Sequence, residues 1–130
     1  MSQTKSSNGA GQPVTIFVVD DEQMLLDLAE AILKPLGYKV RTFSDPWTAL
    51  QEYRTAPPTL VVTDYAMGGM NGLDLVRECK RLNPKQKMIL LSGTVDEAIF
   101  EGLPHKPDRF MVKPYPVHEF IEIIRSLIAS

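Results

Sequence analysis

The sequence predicts an α/β fold, a doubly wound five-stranded parallel sheet with helices on both faces. Two observations predict it. From Pro13 onward, short apolar runs alternate with stretches of helical periodicity, five of each. The first run, Val14 to Val19, is almost continuously apolar, as a strand covered on both faces requires.

Each element has its own signal. Asp20-Asp21-Glu22 leads into a helix with Leu25, Leu28, Ala29 and Ile32 on one face. Gly37 suits a left-handed cap behind it, and Pro35 marks a fraying last turn. Lys39 to Phe43 is a second, more amphipathic strand. Asp45-Pro46 reads as an N-cap followed by proline at the first helical position. The short helix it opens runs through Ala49 and Leu50 and stops before Pro57-Pro58. Thr59 to Thr63 is the third strand and runs into Asp64. A glycine-rich loop, Ala66 to Gly72, leads to a helix carrying Leu73, Val76 and Leu82, stopped by Asn83-Pro84. Lys87 to Leu91 is the fourth strand. Thr94 and Glu97 have capping-box spacing and predict a fourth helix, kept short by Gly102, Pro104 and Pro107. Phe110 to Val112 is the fifth strand, and Pro116 opens a last helix with Phe120, Ile123, Ile124 and Leu127 on one face.

Composition narrows the function. At 130 residues the chain can bury one core and not two. Residues 13–130 form the expected domain; residues 1–12, polar and glycine-rich, read as a disordered tail rather than a signal peptide. No apolar run approaches the roughly 20 residues that cross a bilayer. A net charge of −2 gives no reason to expect direct nucleic-acid or membrane partners. Cys79 is the only cysteine, so no intramolecular disulfide can form, which suits a cytoplasmic location.

Ligands of such sheets bind outside the carboxyl ends of the strands. There the sequence places Asp20 and Asp21, Asp64, Ser92 and Lys113, after strands one, three, four and five. Crowded carboxylates repel one another, and a hard divalent cation with oxygen ligands relieves this; Mg²⁺ suits a site that leaves room for water and phosphate. A carboxylate can be the nucleophile of phosphoryl transfer, a lysine can neutralise the transferring oxygens, and a serine hydroxyl can donate to one of them. The constellation asks for phosphoryl chemistry.

Four segments, Val18-Val19-Asp20-Asp21-Glu22, Val61-Val62-Thr63-Asp64-Tyr65-Ala66-Met67, Leu90-Leu91-Ser92-Gly93 and Met111-Val112-Lys113-Pro114, resemble the signature blocks of response-regulator receiver domains. The resemblance runs from about Val14 to the last helix and implies the flavodoxin-like version of the fold. It implies a signalling switch of two-component systems rather than an enzyme, phosphorylated on Asp64 by a sensor histidine kinase or histidine phosphotransfer protein. By the same similarity Asp20, Asp21, Asp64 and the Tyr65 backbone carbonyl hold Mg²⁺, and Ser92 and Lys113 contact the phosphoryl group. Ser92 and Phe110 form the switch that a downstream effector protein reads. The sequence departs from the family at Gly68-Gly69, where proline usually follows the methionine, and at the proline-rich stretch from Leu103 to Arg109. The chain reads as either a stand-alone receiver or one belonging to a larger regulator or hybrid kinase.

Each residue also has a plainer reading. The acidic pair can be a solvated turn, Ser92-Gly93 a turn, Lys113-Pro114 a strand terminator and Phe110 a core aromatic. His105 and His118 read as surface residues and Cys79 as a small packing residue. An aspartate-nucleophile phosphatase wants a second acid two residues after Asp64, where Ala66 stands. A flavodoxin-type cofactor binder would not place three acids after the first strand. The alternative that remains is a degenerate receiver acting as a phosphorylation-independent interaction module.

Overall fold

The computed structural model describes residues 13–94 and 97–130, with only the backbone of Glu97 and Ile99. The expected tail, residues 1–12, lies outside them. Five strands, β1 (Thr15–Val19), β2 (Lys39–Phe43), β3 (Leu60–Asp64), β4 (Lys87–Ser92) and β5 (Arg109–Val112), form one parallel sheet ordered β2-β1-β3-β4-β5. That order reverses direction between β1 and β3, the switch point at which doubly wound sheets bind ligands.

Among the described residues, four α-helices cover the sheet: α1 (Gln23–Leu33), α2 (Pro46–Thr55), α3 (Gly72–Leu82) and α4 (Val117–Ala129). On one face α1 and α4 pack Leu26, Leu33, Phe120 and Ile124 against Ile16, Val18, Val62, Ile89 and Leu91. On the other, α2 and α3 pack Leu50, Tyr53, Leu75 and Val76 against Phe17, Val19, Val61 and Met88. Side chains alternate between the two cores along each strand, so Ile16–Val19 of β1 and Leu60–Val62 of β3 are apolar and buried without a break. Among the described residues, no helix is long and apolar enough to cross a membrane.

Local chemistry fixes the helix ends. Asp45 caps α2 by accepting from the Trp47 and Thr48 N–H groups, with Pro46 at the first helical position as expected. Gly37 closes a 3-10 turn, Lys34–Leu36, with φ of 96°, and Pro35 sits inside that turn rather than in α1. Asn71 and Asp74 form a reciprocal capping box at the start of α3.

Two sequence expectations are corrected. The fourth of five expected helices is instead a single 3-10 turn, Glu97–Phe100, followed by irregular chain. Gly102 bends back with φ of 79°, and Pro104 and Pro107 supply no N–H for a helical ladder. The Asp108 carboxylate then anchors the segment, accepting from Lys80 Nζ at 2.7 Å and from the Met88 N–H at 2.8 Å. The Glu97 side chain of the expected capping box lies outside the described residues.

The second correction concerns helix faces. On α1 the buried residues are Leu26, Ala29 and Leu33, while Leu28 is 52% exposed. Leu25, Leu28 and Ile32 instead line a cleft of about 330 Å³ between α1 and α4. On α3 only Val76 of the expected residues is buried; Leu75 and Cys79 complete that face, and Leu82 is exposed. The expected face of α4 is buried in full.

Candidate functional site

Parallel pairing builds the site. Val19 lies opposite Thr63 in the β1–β3 register, so the carboxylates that follow both strands emerge side by side. Asp20, Asp21 and Asp64 each offer an oxygen within 4.8 Å of the others, with Asp20 and Asp64 buried and Asp21 exposed. The Asp20 backbone N–H donates to the Phe43 carbonyl, and its Oδ1 accepts from the Glu22 N–H at 3.0 Å.

Lys113 arrives from the opposite edge. Its backbone N–H donates to the Ser92 carbonyl at 2.7 Å, extending the β4–β5 ladder by one residue. Its Nζ lies 2.8 Å from Asp64 Oδ1 and 3.6 Å from Asp20 Oδ2. Burial works against the Lys113 ammonium, but the hydrogen bond to Asp64 and the charges of Asp20 and Asp64 outweigh it and raise its pKa. Burial raises the pKa of Asp20, reinforced by Asp64 and Asp21 and opposed by the Glu22 N–H and Lys113. The site therefore holds more negative charge than its one lysine balances.

Ser92 closes β4, buried, with its Oγ 3.2 Å from Thr94 Oγ1 and accepting from the Thr94 N–H at 3.2 Å. Gly72 stands so close to the Asp64 carbonyl and to Leu90 Cδ1 that a Cβ there has no room. Only glycine lets α3 begin directly beneath the acidic cluster. The Tyr65 carbonyl accepts from the Gly72 N–H at 2.9 Å, so the start of α3 occupies one of its lone pairs.

Phe110 is half-buried and meets Phe100 edge-on, with ring centroids 5.1 Å apart and an interplanar angle of 76°. The structure thus brings together Asp20, Asp21, Asp64 and Lys113, with Ser92 on the adjoining strand end and Phe110 two pairs back along β5. Sequence reasoning missed Tyr115. It stacks on Phe120 at 4.8 Å and lines the α1–α4 cleft beside Asp20 and Lys113. Its place directly after Lys113-Pro114 was the available signal.

Residues 16–125 match the response regulator receiver domain family. The chain belongs to that family. Among its relatives is the probable transcriptional regulatory protein TcrX of Mycobacterium tuberculosis, 32% identical over 120 residues that cover 91% of this chain and 51% of TcrX. The chemotaxis protein CheY of Thermotoga maritima is 25% identical over 114 residues, covering 86% of this chain and 95% of CheY. A crystal structure of a response regulator receiver domain protein from Clostridium thermocellum superposes with a TM-score of 0.78 at 27% identity, covering 89% of this chain and 94% of that one. This receiver domain therefore spans about half the length of TcrX and nearly all of CheY. TcrX is named as a transcriptional regulator, so the expectation of no nucleic-acid partner, drawn from net charge, finds no support among the relatives. Receiver domains are signalling switches and not enzymes in the ordinary sense.

Proposed function

We propose that this receiver domain is a phosphorylation switch whose acceptor is Asp64. The observation that carries the reading is the buried Asp64 carboxylate, held 2.8 Å from Lys113 Nζ within a cluster of three acids. An Asp64 oxygen attacks the phosphorus of a phosphohistidine; the P–N bond breaks, and its electron pair stays on the imidazole nitrogen. Lys113 and the Ser92 hydroxyl then share the charge of the new phosphoryl oxygens.

Three clustered carboxylates with one ammonium fit a divalent cation with oxygen ligands, and Mg²⁺ is the cation that tolerates water and phosphate in its remaining positions. Asp20, Asp21 and Asp64 would hold it; when bound it supplies charge neutralisation for the phosphoryl group. The Tyr65 carbonyl keeps one lone pair for such a role, the other being taken by Gly72.

The donor is a sensor histidine kinase or histidine phosphotransfer protein, and the reader of the switch is a downstream effector protein. Leu28 and Val117 are exposed apolar residues on the cleft that Asp20 and Lys113 also line, surface that a protein bringing its histidine to Asp64 would cover. Acetyl phosphate with Mg²⁺ should add one phosphate to the intact mass of the wild type and none to Asp64→Asn. Equal labelling of the two proteins would refute the assignment.

A further inference from the structure

The Ser92 hydroxyl has partners before any phosphoryl group arrives. A serine hydroxyl has one proton and two lone pairs. One Ser92 lone pair accepts from the Thr94 N–H. Ser92 is buried, 3% exposed as a residue, and among the described residues Thr94 Oγ1, 3.2 Å away, is the side-chain oxygen paired with its hydroxyl. Either hydroxyl can donate in this pair; the arrangement in which Ser92 donates to Thr94 is the one that pairs the buried Ser92 proton. Thr94 is itself exposed, and its own proton is free to go to water.

We propose that Thr94 is a latch on the switch, holding in the unphosphorylated protein the single proton that Ser92 must give to a phosphoryl oxygen on Asp64. The inference rests on Asp64 being the phosphoacceptor. Thr94 Oγ1 and the phosphoryl oxygen compete for one donor, so the hydroxyl of Thr94 stabilises the resting arrangement selectively. A group that favours one of two states sets their ratio, and removing it shifts the population. Thr94 is a positioning residue here: it acts on the phosphoryl group only through Ser92.

Thr94→Val keeps the side-chain shape and the backbone N–H and deletes the acceptor; Thr94→Ser keeps the hydroxyl. Affinity for beryllofluoride, which stands in for the phosphoryl group, is measured by NMR titration in Mg²⁺. A lost neutral hydrogen bond corresponds to roughly 2- to 10-fold in an equilibrium constant, so Thr94→Val should bind that much more tightly. Thr94→Ser should match the wild type. In a Ser92→Ala background Thr94→Val should have no effect, because the latch has nothing to hold. In metal-free Thr94→Val without beryllofluoride, the Ser92 resonances should move toward their positions in the beryllofluoride-bound wild type. Unchanged or weaker binding by Thr94→Val, or the same gain without Ser92, overturns the latch while leaving Asp64 as acceptor. Failure of the wild type to bind beryllofluoride overturns both.

Discussion

Lys113 Nζ lies 2.8 Å from Asp64 Oδ1 and reaches Asp20 Oδ2 at 3.6 Å, so one ammonium serves two buried carboxylates. It stands beside the oxygens where phosphoryl charge would develop. Under the proposed function, the same geometry would govern stability in the resting protein and the rate of phosphoryl transfer.

Lys113→Ala leaves both carboxylates buried without a countercharge. In metal-free buffer the unfolding free energy should fall by about 1–3 kcal/mol, read from urea denaturation. Phosphorylation by acetyl phosphate should slow roughly 100-fold, the scale of losing one charge-stabilising donor. Wild-type stability in the variant would mean that solvent already screens the pair.

Asp20 behaves in the opposite sense. Burial raises its pKa above the ordinary 3.8, so the folded state binds its proton more tightly than the unfolded chain does. The ionised carboxylate therefore costs stability, and the cost sets in as pH rises from the unfolded value through the folded one. At neutral pH and without metal, Asp20→Asn should melt higher than the wild type, by roughly 2–6 °C for each kcal/mol relieved. Millimolar Mg²⁺ should raise the melting temperature of the wild type and do far less for the variant. A variant that melts lower without metal would show the Lys113 contact outweighing the desolvation.

Gly72→Ala tests how α3 is seated. The added methyl would meet the Asp64 carbonyl, the Tyr65 backbone and Leu90, which are fixed by the sheet. Overpacking of this kind costs about 1–3 kcal/mol. Thermal melts should show that loss, and Mg²⁺ affinity should fall with it, because the Asp64 backbone has to move.

The strands and the acid–lysine cluster are legible in the sequence because a parallel sheet sends every carboxyl end to one edge. Residues 64 and 92 end their strands and 20 and 113 directly follow theirs, so all four lie along that edge. The α1 face was ambiguous: Leu25, Leu28 and Ile32 fit helical spacing as well as Leu26, Ala29 and Leu33 do. Periodicity alone does not say which of two overlapping stripes meets the sheet. The missing fourth helix has a partial local signature in Gly102, Pro104 and Pro107, whereas the Lys80–Asp108 ion pair that anchors the segment joins residues far apart in the chain and has none. Likewise the Ser92–Thr94 contact and the Gly72–Tyr65 hydrogen bond are loop geometry, invisible to residue patterns.

Alkaline pH should destabilise the α2–α3 side of the core. Burial, reinforced by Glu78, pushes the Cys79 thiol from 9.0 up to about 12. Burial, reinforced by Cys79, likewise pushes Tyr53 from 10.0 up to about 12. Both folded-state groups hold their protons more tightly, so stability should fall as pH rises through the window from 9 to about 12. Tyr53→Phe loses the hydrogen bond to Gln86 Oε1, at 2.9 Å, and should be about 1 kcal/mol less stable at pH 7. Its loss of stability across the alkaline window should be smaller than that of the wild type. Equal slopes in urea denaturation at pH 8 and pH 11 would exclude Tyr53 as a contributor.

The most direct test of the phosphoacceptor is to locate the phosphoryl group chemically. Borohydride reduces an aspartyl-phosphate to homoserine, and peptide mapping by mass spectrometry then identifies the residue. After treatment of the wild type with acetyl phosphate and Mg²⁺, homoserine should appear at position 64 and nowhere else, and omitting Mg²⁺ should abolish it. Homoserine at position 20 or 21, or none at any position despite bound Mg²⁺, would contradict the account.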